Sequence, residues 1–194
     1  MKLLALRCPE CNRPLKPEND HIVVACESCH AAVQIGDEGV SSVPVQYARP
    51  SSEAMVTQWL PFWVFHGRVS VKQRHTAYGG GSGQEEMARL WGEPRHLYVP
   101  AWELPLRTVR DTGSKMIQRQ PVYQAIAQPA DAHLTPVILT TEDALKMLEF
   151  IILTIEARRP DWLERLDFHL EVSEPVLWAL PADDQGIVAL ESST

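Results

Sequence analysis

The chain has 194 residues, 45% of them apolar and 22% charged, with a net charge of −7. That length and balance fit one medium domain, or a small domain joined to a medium one, and exclude wholesale disorder. No apolar run approaches the roughly 18–20 residues that a bilayer crossing needs, and the start MKLLALRC lacks the apolar core of a secretory signal, so a soluble, cytoplasmic protein without a membrane span is expected.

The charge is uneven. Residues 1–46 sum to −2, residues 47–130 to +4 and residues 131–194 to −9. Solvated faces that neutralise one another explain this simply. A basic patch for an anionic partner, built from the middle segment, is the sharper alternative.

All four cysteines lie in the first thirty residues, as Cys8, Cys11, Cys26 and Cys29. Two residues between cysteines let one tight turn aim two thiolates at a point. The fourteen residues from Asn12 to Ala25 then return the chain to place the second pair opposite. Four sulfurs about 2.3 Å from a common centre suit tetrahedral Zn²⁺. Between the pairs, RPLKPEND supplies prolines and a polar turn, and HIVVACES reads as a short strand feeding the second turn. So small a segment has almost no apolar core, and a bound metal must supply most of its folding free energy, on the order of 10 kcal/mol. Disulfides do not fit a reducing compartment.

CPECN and CESCH, and with them residues 1–36, resemble the zinc ribbons of rubredoxin-like architecture. The resemblance implies a structural Zn²⁺ ion on Cys8, Cys11, Cys26 and Cys29 and leaves function open. Ribbons of this family often carry glycine after the second cysteine of each pair, where φ is positive. Here Asn12 and His30 stand there, residues that tolerate that region. The departure weakens an iron-binding, electron-carrying reading more than a zinc one. His30 directly follows Cys29 and is expected to lie outside the ligand set.

VQIGDEGVSSVPVQYARPSS reads as the exit from the ribbon and a linker near residues 41–53, which divides the chain into a zinc ribbon (1–46) and an α+β domain (54–190). MVTQWLPFWVFHGRVSVKQ predicts one or two strands broken near Pro61 and Gly67. GGGSG at 79–83 reads as a mobile surface loop, because no Gly-Lys-Ser/Thr follows to make a phosphate loop. QEEMARLW then starts a short helix. HLYVPAWELPLRTVR reads as a strand. Pro61, Trp63 and Phe65 recur 39 residues later as Pro100, Trp102 and Leu104, either an internal duplication or a coincidence in a Trp-rich chain. The Leu60-Pro61-Phe62-Trp63 segment is similar to segments of bacterial zinc-ribbon proteins that have no assigned activity.

PVYQAIAQ and LTPVILTT read as strands. The clearest helix follows, over 140–159, with Thr140 and Asp143 at capping-box spacing, a wide apolar face from Ala144 to Ile155, Arg158 and Arg159 at the C-terminal end and Pro160 as stop. Phe150 and Leu153 widen its apolar girth and predict burial between layers. DWLERL reads as a short amphipathic turn, DFHLEV as a strand, and VLWALPADDQGIVAL as a hairpin turning at DDQG. The fold class is therefore α+β, a zinc ribbon followed by a mostly antiparallel sheet with one dominant helix.

The histidines form no H-x3-H or HExxH pattern, no G-x-S-x-G elbow is present, and no cysteine remains outside the two pairs. The acidic pairs Glu85-Glu86 and Asp183-Asp184 belong to a helix start and a turn. No catalytic and no cofactor-binding residue is expected beyond the metal ligands. Trp59, Trp63 and Trp102 are expected in the core. Three functions fit: a non-enzymatic protein-interaction or assembly factor, which is preferred; a nucleic-acid-associated protein using Arg68, Lys72, Arg74, Arg107, Arg110, Lys115 and Arg119; and a redox carrier or enzyme. The functional site is expected near the Gly-rich loop rather than on the ribbon.

Overall fold

The structure, a computed structural model, describes residues 6–36, 39–51, 54–77, 81–130, 132–183 and 186–187. Short strands β1 (Val23–Ala25), β2 (Ala32–Gly36) and β3 (Gly39–Ser42) form a small antiparallel sheet in the order β1-β2-β3. The rest is built on β4 (Val45–Ala48), β5 (Gln58–Thr76), α1 (Gly81–Trp91), β6 (Arg95–Pro100), α2 (Leu106–Arg119), β7 (Ala125–Ile126), α3 (Thr141–Ala157), β8 (Leu163–Val172), β9 (Val176–Asp183) and β10 (Gly186–Ile187). The larger sheet runs β6-β5-β9-β4-β7, with β8 added to β5 and β10 to β9. The expected mixed, mostly antiparallel architecture is present. The β4–β9 pair is parallel.

β5 is the axis of the sheet, 19 residues without interruption at Pro61 or Gly67. Trp59 to Phe65 are all buried, because the strand is central here and covered on both faces. Beyond His66 burial becomes uneven, with Gly67 and Val69 inside and His66 and Arg68 outside. β8 and β9 lie along β5 almost as one strand, the register slipping by a residue between Val172↔Gly67 and Val176↔Val64. Gly67 sits at that slip, and a Cβ there would overlap the Glu171 carbonyl and crowd the Val172 backbone. The glycine permits the close approach rather than breaking the strand.

Several sequence expectations are corrected. The linker near 41–53 contains β4, whose Tyr47 and Ala48 are buried in the core. The strand expected over 96–110 ends at Pro100, and α2 begins at Leu106. Leu106, Val109, Gly113 and Ile117 recur at helical spacing, a signal masked by the proline-tryptophan stretch before it. Gly113 is required where α2 crosses its neighbours, since a Cβ would come within 2.5 Å of Ile151 Cδ1 and 3.0 Å of the Tyr98 carbonyl oxygen. LTPVILTT forms no regular strand. Its backbone is tied by bridges of Leu134 to Trp59 and of Val137 to Val23. DWLERL and DFHLEV merge into β8, while DDQG joins β9 to β10 as expected, with Asp184 and Gln185 outside the described residues. Of GGGSG, Gly81 to Gly83 open α1, and Gly79 and Gly80 lie outside the described residues. The 39-residue spacing does not mark equivalent positions: Phe62 pairs directly with Pro100 on adjacent strands, and Trp102 lies in the turn beyond.

α3 matches its expected span closely. Thr140 Oγ1 accepts the Asp143 backbone N–H at 3.1 Å, and Ala144, Leu148, Ile151, Ile152 and Ile155 are buried. Phe150 and Leu153 are exposed, so the helix covers the sheet with one side and is not sandwiched between layers.

Glu156, on the buried side of α3, is fully inside. Its Oε1 accepts Trp91 Nε1 at 2.9 Å and Arg159 Nη2 at 2.8 Å. Its Oε2 accepts Arg74 Nε at 3.0 Å and Arg159 Nε at 2.9 Å. Arg74 also clamps Asp161 with both terminal nitrogens, at 2.5 and 2.7 Å. The Asp161 carboxylate rests against Gly83, where a Cβ would overlap it. It faces the first turn of α1, the end of a helix that favours negative charge. Arg159 reaches outward to Glu86 on α1 at 2.8 Å. Arg74 is thus internal and unavailable to a nucleic acid, and Arg159 anchors carboxylates rather than merely facing the helix dipole.

Two predictions follow from this packing. Leu148→Ala should destabilise the protein by about 2–5 kcal/mol, the range for emptying a packed aliphatic site, as measured by denaturant melts. A loss below about 0.5 kcal/mol would place Leu148 outside the core. Asp161 should control the acid limb of stability. The hydrogen bonds from Arg74 outweigh burial and hold its carboxyl below the usual range. Its stabilisation is therefore present above the unfolded value of about 3.9 and lost as pH falls through the lower folded value. Asp161→Asn should cost about 3–5 kcal/mol at pH 7, as for a broken buried pair, and much less near pH 2. Equal costs at both pH values would contradict the assignment.

Candidate metal centre

The two cysteine turns are built alike. Cys8 N–H donates to the Arg13 carbonyl at 2.8 Å, and Asn12 N–H donates to the Cys8 carbonyl at 2.9 Å. In the second turn, Cys26 N–H donates to Ala31 at 2.9 Å and His30 N–H donates to Cys26 at 2.8 Å. Both turns need one left-handed residue, and Asn12 and His30 take it, with φ of 57° and 60°. The sequence signal for these positions was the place after each second cysteine, where glycine is the usual solution.

β1 delivers Cys26 directly, and the Arg7↔Pro14 bridge closes the first hairpin. The four sulfurs lie within 4.8 Å of one another. Cys8 Sγ and Cys29 Sγ are 3.6 Å apart, as are Cys11 Sγ and Cys26 Sγ. A disulfide would need about 2.05 Å. A tetrahedron with metal–sulfur bonds of about 2.3 Å has sulfur–sulfur edges of about 3.8 Å. The donor set therefore fits a tetrahedral, thiophilic ion, and each close pair draws one cysteine from each turn. The four cysteines could hold a metal ion, as their spacing predicts.

The thiols compete for charge. Burial opposes ionisation of Cys26, but the backbone N–H groups of Ser28 and Cys29 and the neighbouring thiols outweigh it and draw the group down to about 7. The Ala31 N–H favours ionised Cys29, yet burial and the other three sulfurs push it up to about 12. Four thiols cannot all shed their protons without a cation among them, and metal binding is the natural release of that repulsion.

The apolar cluster beside the sulfurs consists of Cys8, Cys26 and Val33, with Leu15, Ala31 and Val40 packed against it. This small core bears out the expectation that the segment has little apolar support of its own. It is also held from outside. Ile22 and Val23 N–H groups donate to the Val137 carbonyl, Val137 N–H returns a bond to Val23 at 2.9 Å, and Gln128 Nε2 donates to the His30 carbonyl at 2.7 Å. Val23 and Ala32 belong to the main core. His30 offers no atom to the sulfur cluster.

The remaining residues singled out in the sequence do not converge. Glu85 and Glu86 lie on α1 and Asp183 ends β9, with Asp184 outside the described residues, and Glu86 is bound to Arg159. Trp59 and Trp63 are buried as expected, and Trp63 Nε1 donates to the Leu139 carbonyl at 2.9 Å, while Trp102 is half-buried. Of the basic set, Arg68, Lys72, Arg107, Lys115 and Arg119 are exposed. Sequence reasoning passed over Glu18, Asp20 and His21, whose donor atoms lie close together, but His21 Nδ1 is taken by the Glu18 N–H. Among the described residues no helix is long and apolar enough to cross a membrane. No protein-family model, curated protein or solved structure matches the chain.

Proposed function

We propose that the ion is Zn²⁺ in a structural role, bound by Cys8, Cys11, Cys26 and Cys29, and that the protein is a non-enzymatic interaction or assembly factor of the cytoplasm. The observation that carries the structural role is the closed donor set: four cysteine sulfurs fill a tetrahedron and leave no open position of the kind catalytic zinc keeps. The ribbon (1–46) and the α+β domain (54–190) are two functional units in this reading. The ribbon braces Gln128 and the 132–137 segment against the sheet, and the α+β domain meets the partner.

A protein partner is supported by the outer side of the helices. Leu106 at the start of α2 and Phe150 on α3 are about half exposed. With Leu139 and Met147 they line an apolar groove of about 310 Å³, and Leu153 is exposed one turn further on. Exposed aromatic and aliphatic anchors of this kind carry most of the energy of protein association. The charge surplus of the middle segment is weaker support for a nucleic acid, since Arg74 is buried.

Elemental analysis should find one zinc per chain, and Cys26→Ser should lower occupancy sharply. Limited proteolysis of that variant should open the ribbon first and leave α3 protected. Full zinc retention would refute the four-cysteine set. For the partner, a photo-crosslinking residue at position 150 should capture a discrete protein that the same residue at Glu164 does not. Phe150→Ala should then weaken binding of that purified partner by about 10-fold or more. Unchanged affinity would remove the groove from the interface.

A further inference from the structure

A cleft of about 710 Å³ opens between α1, α2 and the end of α3, on the helical part of the α+β domain. Five cationic side chains line it: Arg89 from α1, Arg95 from the start of β6, Lys115 from α2, and Arg158 and Arg159 beyond α3. Two of these are committed, Arg158 to Asp111 and Arg159 to Glu156 and Glu86. Arg89, Arg95 and Lys115 form no salt bridge among the described residues. Glu93 acts on Arg95 only at longer range. A concave surface thus gathers three cations without carboxylate partners.

The second observation lies inside the cleft. Ser114 is 2% exposed, and its hydroxyl has no hydrogen-bond partner among the described residues. Arg95 Nε is buried and unpartnered as well. Arg95 is held in place by a 3.3 Å bond from Nη1 to the Ile117 carbonyl and by stacking of its guanidinium over the Trp91 ring, 5.6 Å from the centroid. Buried polar atoms are nearly always satisfied, and each one left bare costs stability. Two bare donors on the wall of one cationic cleft are an arrangement that an oxyanion completes. The guanidinium offers a fixed N–H, the hydroxyl turns to suit, and Lys115 and Arg89 supply charge at the mouth.

We propose that this cleft binds a small phosphorylated ligand, its phosphate received by Arg95, Ser114 and Lys115. The size falls within the range of small-molecule sites. A small ligand fits better than a nucleic acid strand. The unpaired cations converge in a hollow instead of following a stripe, and Glu86 and Asp111 flank them. The whole chain carries −7, which repels a long polyanion. Leu90 and Ile155, also in the lining, offer apolar contact for the rest of the molecule. The site does not touch the cysteine cluster and stands whether or not the ion there is zinc.

Titration of the full zinc-loaded chain with pyrophosphate by calorimetry, at low and at moderate salt, tests this. One saturable site is expected, with inorganic phosphate weaker. Lys115→Gln should lower affinity about 10-fold, the scale of a charge-assisted hydrogen bond, and Arg68→Gln, an equal charge change on exposed β5, should leave it within about 2-fold. Ser114→Ala should weaken binding about 5-fold and at the same time raise the melting temperature of the ligand-free protein, because a bare buried hydroxyl is removed. A residue that merely packs would give the opposite thermal shift. Absence of saturable binding, equal losses in the Arg68 and Lys115 variants, or a short oligonucleotide binding far more tightly than pyrophosphate with a steep salt dependence would each overturn the proposal.

Discussion

The body of this protein is organised around one buried carboxylate. Glu156 sits at the end of α3 with no exposed surface and accepts four hydrogen bonds, from Trp91, Arg74 and twice from Arg159. An ionised group in that position is tolerated only if every lone pair is met, because desolvation otherwise exceeds the gain from pairing. The requirement reaches through the fold. It draws Arg74 inward from the far half of β5, sets Trp91 at the end of α1, and turns the chain after Pro160 so that Asp161 meets the other edge of Arg74. Gly83 then lets α1 close over Asp161. Strand, helix and connecting turn are positioned by a set of directional bonds that apolar packing alone would not specify.

The cysteine-bearing segment shows a different solution to the same problem of a small core. It holds few buried apolar side chains, and its order comes from two repeated turns and from four sulfurs that converge on a point. Irregular chain between Ala132 and Leu139 lies between it and the sheet. Val137 bonds to Val23, Trp59 bonds to His133 and Thr135, and Ile138 bonds to Ala101. That strap has little regular structure of its own, and its backbone groups are satisfied only because β1 stands on one side and β5 on the other. β1, which leads into Cys26, thus adjoins the strap that enters α3.

The helical face carries both the exposed apolar groove and the cationic cleft, and the reason is geometric. α2 and α3 pack on β6 and on each other, with Gly113 allowing the close crossing. Two helices set that tightly leave a furrow at each end of their contact. At one end lie Leu106, Met147 and Phe150, and at the other Ser114, Lys115 and Arg158. None of the four cysteines lines either hollow.

What the sequence determined by itself is local. The C-x2-C turns, the left-handed residues after them, the capped and proline-stopped α3, and the alternating strands could be read directly, because each depends on contacts within a few residues. The tertiary structure decided the rest. WLPFWVFHGRVSVKQ is one strand because β6, β8 and β9 supply partners along its length, and Gly67 marks a close approach that no local rule predicts. α2 was hidden because its apolar stripe is narrow and centred on a glycine, whose role appears only against Ile151 and Tyr98. Arg74, Glu156 and Asp161 look like ordinary surface charges in the chain, and Arg95, Ser114 and Lys115 look unrelated. Side chains separated by 82 and 87 residues, or brought together from a strand and a helix, acquire their partners only when the chain folds, since burial and pairing are properties of the three-dimensional environment and leave no periodic trace in the sequence.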